Sequence, residues 1–233
     1  MNPRQNQAIE EVAVLAEPVR RALYAYVSDQ PEPVGRDAAA AALDIGRPLA
    51  AFHLDRLVAA GLLDVTFRRL SGRTGPGAGR PAKLYRRSDR ELELTLPARN
   101  YEVAARLFAE ALAAGDAGTA STSQALDSAA RKYGESLGAE ARRLAGPRPS
   151  RSALLGAAVD VLNAAGFEPR TGEKDVIALR NCPFDAIAKT QRDLVCGMNL
   201  SLMDGVIAGL RASGIRAELD RQPGMCCVVW RRN

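Results

Sequence analysis

Residues 33–65 read "PVGRDAAAAALDIGRPLAAFHLDRLVAAGLLDV", and a break at Asp44-Ile45-Gly46 separates a short alanine-rich segment from a longer one. Two helices joined by so tight a turn are the local signature of a helix-turn-helix. The second helix is predicted over 47–60 and stops at Gly61, since glycine takes the left-handed conformation that closes a helix. Upstream, residues 5–29 ("QNQAIEEVAVLAEPVRRALYAYVSD") repeat apolar positions Leu15, Val19, Leu23 and Tyr26 at helical steps, with Pro18 suited to a helix start. Downstream, "LLDVTFRRL" and "KLYRRS" are strand candidates on either side of the glycine-rich "SGRTGPGAGRPA". Two strands joined by a basic loop make a wing.

Residues 97–145 are rich in alanine and leucine and carry helical spacing in "NYEVAARLFAEALAA" and "QALDSAARKYGESLGAEARRLA". Their apolar stripe has no evident cover, which points to a second copy of the chain and hence a homodimer. "GPRPSRS" reads as a linker, and after it a helix, a hairpin, a long helix and a second hairpin alternate. The expected fold is mainly α with an α+β part. A winged helix-turn-helix DNA-binding domain covers 1–90, helical dimerisation and linker segments cover 91–148, and a small α+β cysteine-containing domain covers 149–233.

Composition restricts the chemistry. The 233 residues, 47% of them hydrophobic, suffice for one large or two small cores. The first residues are acidic in part and lack a long apolar run, so a cytoplasmic protein with no membrane association is expected. A single histidine and the absence of HExxH, GxSxG and GxxxxGK[ST] patterns argue against an enzyme.

The net charge of +5 is concentrated in residues 65–90, where Arg68, Arg69, Arg73, Arg80, Lys83, Arg86, Arg87 and Arg90 face one acid, Asp89. Charge runs are usually solvated faces. Here, however, helix-turn-helix, wing and basic run follow one another in the order a reader of double-stranded operator DNA requires. With Leu54, Leu57 and Val58 turned to the core, Arg47, Ala50, Ala51, His53 and Arg56 remain for the major groove, Arg47 at the entering end. Arg73 and Arg80 on the wing tip would reach phosphates or the minor groove, with Lys83, Arg86 and Arg87 beside the backbone.

All four cysteines lie in the last quarter: Cys182, Cys196, Cys226 and Cys227. Thirteen residues separate the first two and twenty-nine the next pair, with no CxxC, which disfavours a zinc ribbon. In a reducing compartment they serve either as thiol or metal ligands or as small buried hydrophobes. Gly197 and Gly224 beside two of them would admit a bulky inorganic group. Successive strand residues point to opposite faces, so Cys226 and Cys227 do not both fit one site.

The segment from Leu43 to Tyr85, with "RPLAAFHLDRLVAAGLL" and "GRPAKLYRR", resembles the winged helix-turn-helix of ArsR-like bacterial repressors. With "NCPF…LVCGMNL…CC" added, the chain resembles the SufR family, iron-sulfur cluster-binding repressors of cluster-assembly operons. That resemblance implies an iron-sulfur cluster, 4Fe-4S ahead of 2Fe-2S, held by Cys182, Cys196 and Cys226, with Cys227 as a core residue or the substitute for Cys226. A further ligand would come from Asp185, a partner chain or a small molecule. The alternative is a winged-helix regulator answering zinc, an oxidant or an organic ligand.

Overall fold

The computed structural model describes residues 3–69, 81–116, 118, 121–172 and 177–232. It divides into two compact units, Pro3–Leu94 and Thr95–Asn233.

The first unit runs α1 (Pro3–Ala13), a 3-10 turn (Val14–Ala16), α2 (Pro18–Ser28), β1 (Val34–Gly35), α3 (Arg36–Ala42), α4 (Arg47–Ala59), β2 (Leu63–Arg68) and β3 (Ala82–Arg87). Pro18 opens α2, and the Glu17 carboxylate caps it by accepting from the amides of Val19 and Arg20. The turn of the helix-turn-helix is set by Asp44, whose φ of 51° is left-handed. The amides of Asp44 and Ile45 then reach back to the carbonyls of Ala41 and Ala40, closing α3 in a Schellman arrangement. Gly61, at φ 70°, closes α4 in the same way through Gly61 to Val58 and Leu62 to Leu57. A three-stranded antiparallel sheet in the order β1-β3-β2 follows. Its inner side places Tyr85 against Leu23, Leu54 and Leu57 in the unit's core.

The second unit contains α5 (Tyr101–Asp116), α6 (Thr122–Ala145), α7 (Arg151–Ala164), β4 (Pro169–Thr171), β5 (Ile177–Leu179), α8 (Asp185–Thr190), α9 (Arg192–Leu210), β6 (Ile215–Leu219) and β7 (Val228–Arg232). The four strands form an antiparallel sheet in the order β4-β5-β7-β6. Its central element is the pair α6 and α9, which run parallel: Ser201 bonds Asp127, Asp204 pairs with Arg131, and Arg142 donates to the Leu210 carbonyl. By length and composition alone α9 could cross a membrane, yet here it is a core helix burying Val195, Met198, Leu202, Met203, Val206 and Leu210.

The two helices touch backbone to backbone. A Cβ on Gly134 would enter the Leu202 carbonyl, and one on Gly138 the Val206 carbonyl. From the other side, Cβ atoms on Gly205 and Gly209 would strike the carbonyls of Arg131 and Glu135. This changes two expectations. Helices α5 and α6 belong to one unit with the cysteine-bearing elements instead of forming a segment of their own. The stripe on α6 that had seemed to need a second copy is covered by α9, with Ala130, Gly134, Gly138 and Ala141 all buried. Hydrophobic periodicity missed the pairing because its contact surface is glycine and alanine.

Because nothing can yield at that crossing except the helices themselves, Gly205→Ala should lower the unfolding free energy by about 1–3 kcal/mol or more in urea titration. Gly156→Ala in α7, where a Cβ would meet nothing within 4 Å, should be neutral or stabilise by about 0.5–1 kcal/mol.

Candidate nucleic-acid interface and candidate metal centre

On α4 the buried stripe is Ala50, His53, Leu54 and Leu57. Two expected DNA contacts are therefore corrected: Ala50 is 0% and His53 7% exposed. Positions 50, 53, 54 and 57 share one helix face at three- and four-residue steps, so His53 is carried inward with the leucines. Its Nδ1 lies 3.6 Å from the Glu17 carboxylate that caps α2. The outward face carries Arg47, Leu49, Phe52 and Arg56. Arg47 is exposed and ion-paired with Asp37 at 2.5 Å. The Arg56 guanidinium lies 5.6 Å from the centre of the Phe52 ring. Leu49 and Phe52 were not singled out from the sequence, because apolar residues at helical spacing read as core.

In the wing, Lys83 is engaged by Asp55 at 2.5 Å, and Asp55 also accepts from the Tyr85 hydroxyl at 2.8 Å. Burial works to raise the Asp55 pKa, but the bonds from Lys83 and Tyr85 outweigh it and hold the carboxylate below its ordinary range. Lys83 therefore ties β3 to α4 and is not a free phosphate contact. Arg86 pairs with Asp64 and Asp89, whereas Arg87 is exposed with no acidic partner among the described residues. Arg73 and Arg80 lie outside the described residues.

The four cysteines come from three places in the second unit. Cys182 lies in the loop between β5 and α8, Cys196 in the second turn of α9, and Cys226 and Cys227 immediately before β7. Cys182 thus follows β5 at a distance of three residues, and the vicinal pair, read from the sequence as strand residues, precedes β7. The Cys182 loop is clamped: Asn181, buried, donates to the carbonyls of Ala98 and Gly166, and Arg99 donates to Asn181 Oδ1 and to the Cys182 carbonyl. The vicinal pair is fixed through the backbone, Cys226 N–H donating to the Leu179 carbonyl and the Cys227 carbonyl accepting from Asp220, both at 2.8 Å. Asn199, one turn after Cys196 and fully buried, donates through Nδ2 to Cys226 Sγ at 3.0 Å. Its Oδ1 has no hydrogen-bond partner among the described residues. A buried polar atom left so costs about 1–3 kcal/mol.

Cys182, Cys196 and Cys227 line one cavity of about 620 Å³, while Cys226 is absent from its wall. The side chains of Arg99, Arg180, Lys189, Arg192 and Arg221 surround it against the carboxylates of Glu168 and Asp185. Asp185, offered as a further ligand, is engaged by Arg99 at 3.6 Å and Lys189 at 2.9 Å. Gly224 lines the cavity and needs its freedom for a φ of 73°, whereas a Cβ on Gly197 would meet nothing within 4 Å.

The thiols interact in a chain: Cys182 with Cys226, Cys226 with Cys227, Cys227 with Cys196. Among the described residues no group of three or more His, Cys, Asp or Glu is arranged to hold a metal ion. The donor set nevertheless fits a thiolate-ligated group in chemistry. Donation from Cys226 lowers Cys227 to about 6 against the opposing effect of burial, with Cys196 adding to the shift. Cys226 likewise lowers Cys182. Burial first, then Cys227, pushes Cys196 up to about 12, and Cys226, giving its hydrogen bonds to Cys182 and Cys227, rises well above the ordinary thiol value. A Cys227 thiolate beside thiols whose acidities its neighbours push in both directions, rimmed by cations, makes a soft-donor pocket.

A depressed pKa keeps Cys227 ionised above about pH 6. In metal-free protein at pH 7, iodoacetamide should therefore label Cys227 well ahead of Cys196, with a rate that climbs through about pH 6 and levels off above it. Peptide mass mapping after timed quenching reads the order.

No curated protein and no solved structure matches the chain. Residues 15–66 match the family model described as a helix-turn-helix domain, from just before α2 into β2. Together with the fold of α3, α4 and the β2–β3 hairpin, that match supports a winged helix-turn-helix domain in the first unit and suggests a DNA-binding transcriptional regulator.

Proposed function

We propose that this regulator is a homodimeric repressor that holds an iron-sulfur cluster, binds a near-palindromic operator when loaded, releases it when the cluster is lost, and thereby controls genes of cluster assembly. The observation that carries the reading is the meeting of three cysteines, Cys182, Cys196 and Cys227, from three separated segments at one cation-rimmed cavity, with Cys226 directly behind them. The target genes rest on the resemblance of "NCPF…LVCGMNL…CC" to SufR proteins. As a DNA-binding regulator it is expected in the cytoplasm.

Cys182, Cys196 and Cys227 would be the ligands, since these three face the cavity. Cys226, the residue first assigned, would stand behind them, fixed by Asn199. A bound cluster would supply iron–thiolate bonds joining the Cys182 loop, α9 and the segment before β7. The protein's own contribution is to hold those three backbones in place and to compensate thiolate charge with Arg180, Arg192 and Arg221. A gain in operator affinity then follows only so far as loading favours the DNA-competent form. Dimerisation is retained on the symmetry that operator half-sites demand, no longer on an uncovered helix stripe.

The thiol chain gives a second reading a definite footing. The mutual influence of Cys227 and Cys196, and of Cys226 and Cys182, on one another's acidity suits an oxidant sensor in which neighbouring thiols pair.

Anaerobically purified protein should contain iron and acid-labile sulfide and absorb visible light. A Cys182→Ser, Cys196→Ser double variant should lose both while keeping its circular dichroism, and should bind operator DNA at least about fivefold more weakly, the lower end of ordinary coupling energies. Colourless, iron-free wild type whose DNA affinity falls on mild thiol oxidation would select the oxidant reading instead.

A further inference from the structure

We infer that Phe52 and Leu49 form an apolar reading edge on α4 that recognises the 5-methyl group of thymine in the major groove. The inference rests on the DNA-binding reading of this helix and assigns the chemistry of its contact.

Large apolar side chains on a soluble helix normally turn inward, and α4 has a full inward stripe without these two. Phe52 is 53% and Leu49 44% exposed, three residues apart and so one above the other on the same face. Both lie in the N-terminal two turns of the second helix, the part of a helix-turn-helix that meets base edges. Phe52 is not a loose side chain. Its ring meets His53 edge to face at 5.2 Å between centroids, with the planes at 68°, and the Arg56 guanidinium lies 5.6 Å from its centre. His53 is itself buried next to Glu17. The aromatic ring is thus supported by His53 and flanked by a cation while half of it stays exposed, an arrangement that presents a hydrophobic surface at small entropic cost.

Two polar neighbours on α4 have partners within the unit. Arg47 is paired with Asp37, and Asp55 is committed to Lys83 and Tyr85. In the major groove only thymine offers an apolar group, its methyl, as a mark distinguishing it from the other bases. A rigid phenyl ring and a leucine beside it match that feature, while Arg56 lies close enough to hold the ring and meet a neighbouring acceptor or phosphate.

The test separates this from DNA binding as such. Full-length protein purified without oxygen selects its preferred duplex from a random pool, and that duplex is then made with thymine or with deoxyuridine, which lacks only the methyl. At constant salt the wild type should bind the uracil form about fourfold more weakly for each methyl in contact. Phe52→Ala should bind the two forms alike, and Leu49→Ala should narrow the difference. Arg56→Lys, which keeps the charge and loses the planar stack, should retain part of it. Wild type that selects a sequence yet binds thymine and uracil duplexes equally would overturn the inference while leaving operator recognition standing. So would a folded Phe52→Ala protein that discriminates as before. Enrichment of no duplex by the wild type would overturn both the inference and the DNA reading beneath it.

Discussion

The second unit is organised by a contact that leaves no room for side chains. Where α6 crosses α9, four glycines let each backbone lie against the other's carbonyls, and the ion pair and hydrogen bonds of Arg131, Asp127 and Arg142 hold the two helices in register along their length. Such close approach gains dispersion contacts and weak Cα–H to carbonyl bonds that bulkier residues would forbid. It also fixes the axial position of α9. Cys196 and Asn199 occupy the second and third turns of that helix, so their placement depends on a contact further along it. Any shift of α9 along its axis would carry Asn199 away from Cys226.

The other two cysteine-bearing segments are irregular and have no helix to hold them, and buried amides take over that task. Asn181 spans the carbonyls of Ala98 and Gly166 and receives Arg99, which makes the Cys182 loop part of the core instead of a surface connection. The vicinal pair is held between β5 and the residue following β6 through its own peptide groups. Backbone bonds on opposite sides at successive residues turn the two side chains apart, and this is the physical reason that Cys227 enters the cavity wall and Cys226 does not.

The first unit was largely legible in the sequence, because turn chemistry and capping act over a few residues. Asp44, Gly61 and Pro18 each stand where a helix must stop or start, and the second helix and both strands of the wing follow from them. The sense of the helix faces was less so. His53 and Ala50 are polar or small and were expected outside, whereas Phe52 is aromatic and was passed over; the structure reverses all three. In the second unit the local elements could be read, but α8 was not anticipated, and the partnership of α6 with α9 could not be, since glycines give no hydrophobic signal. Asn181 and Asn199 escaped for a related reason: a lone asparagine in a sequence carries no mark of burial.

The four thiols illustrate why composition alone cannot assign a ligand. All four are cysteines in one neighbourhood, yet their protonation differs because each hydrogen bond between two thiols stabilises one partner as thiolate and the other as thiol. Cys227 and Cys182 are on the accepting side, Cys226 and Cys196 on the donating side. Binding of any thiolate-seeking group must therefore displace protons from Cys196 at least, and its affinity must rise with pH on that account. Cations at the cavity rim lessen the cost of that deprotonation, and Arg221 lies where the charges of both Cys196 and Cys227 act on it.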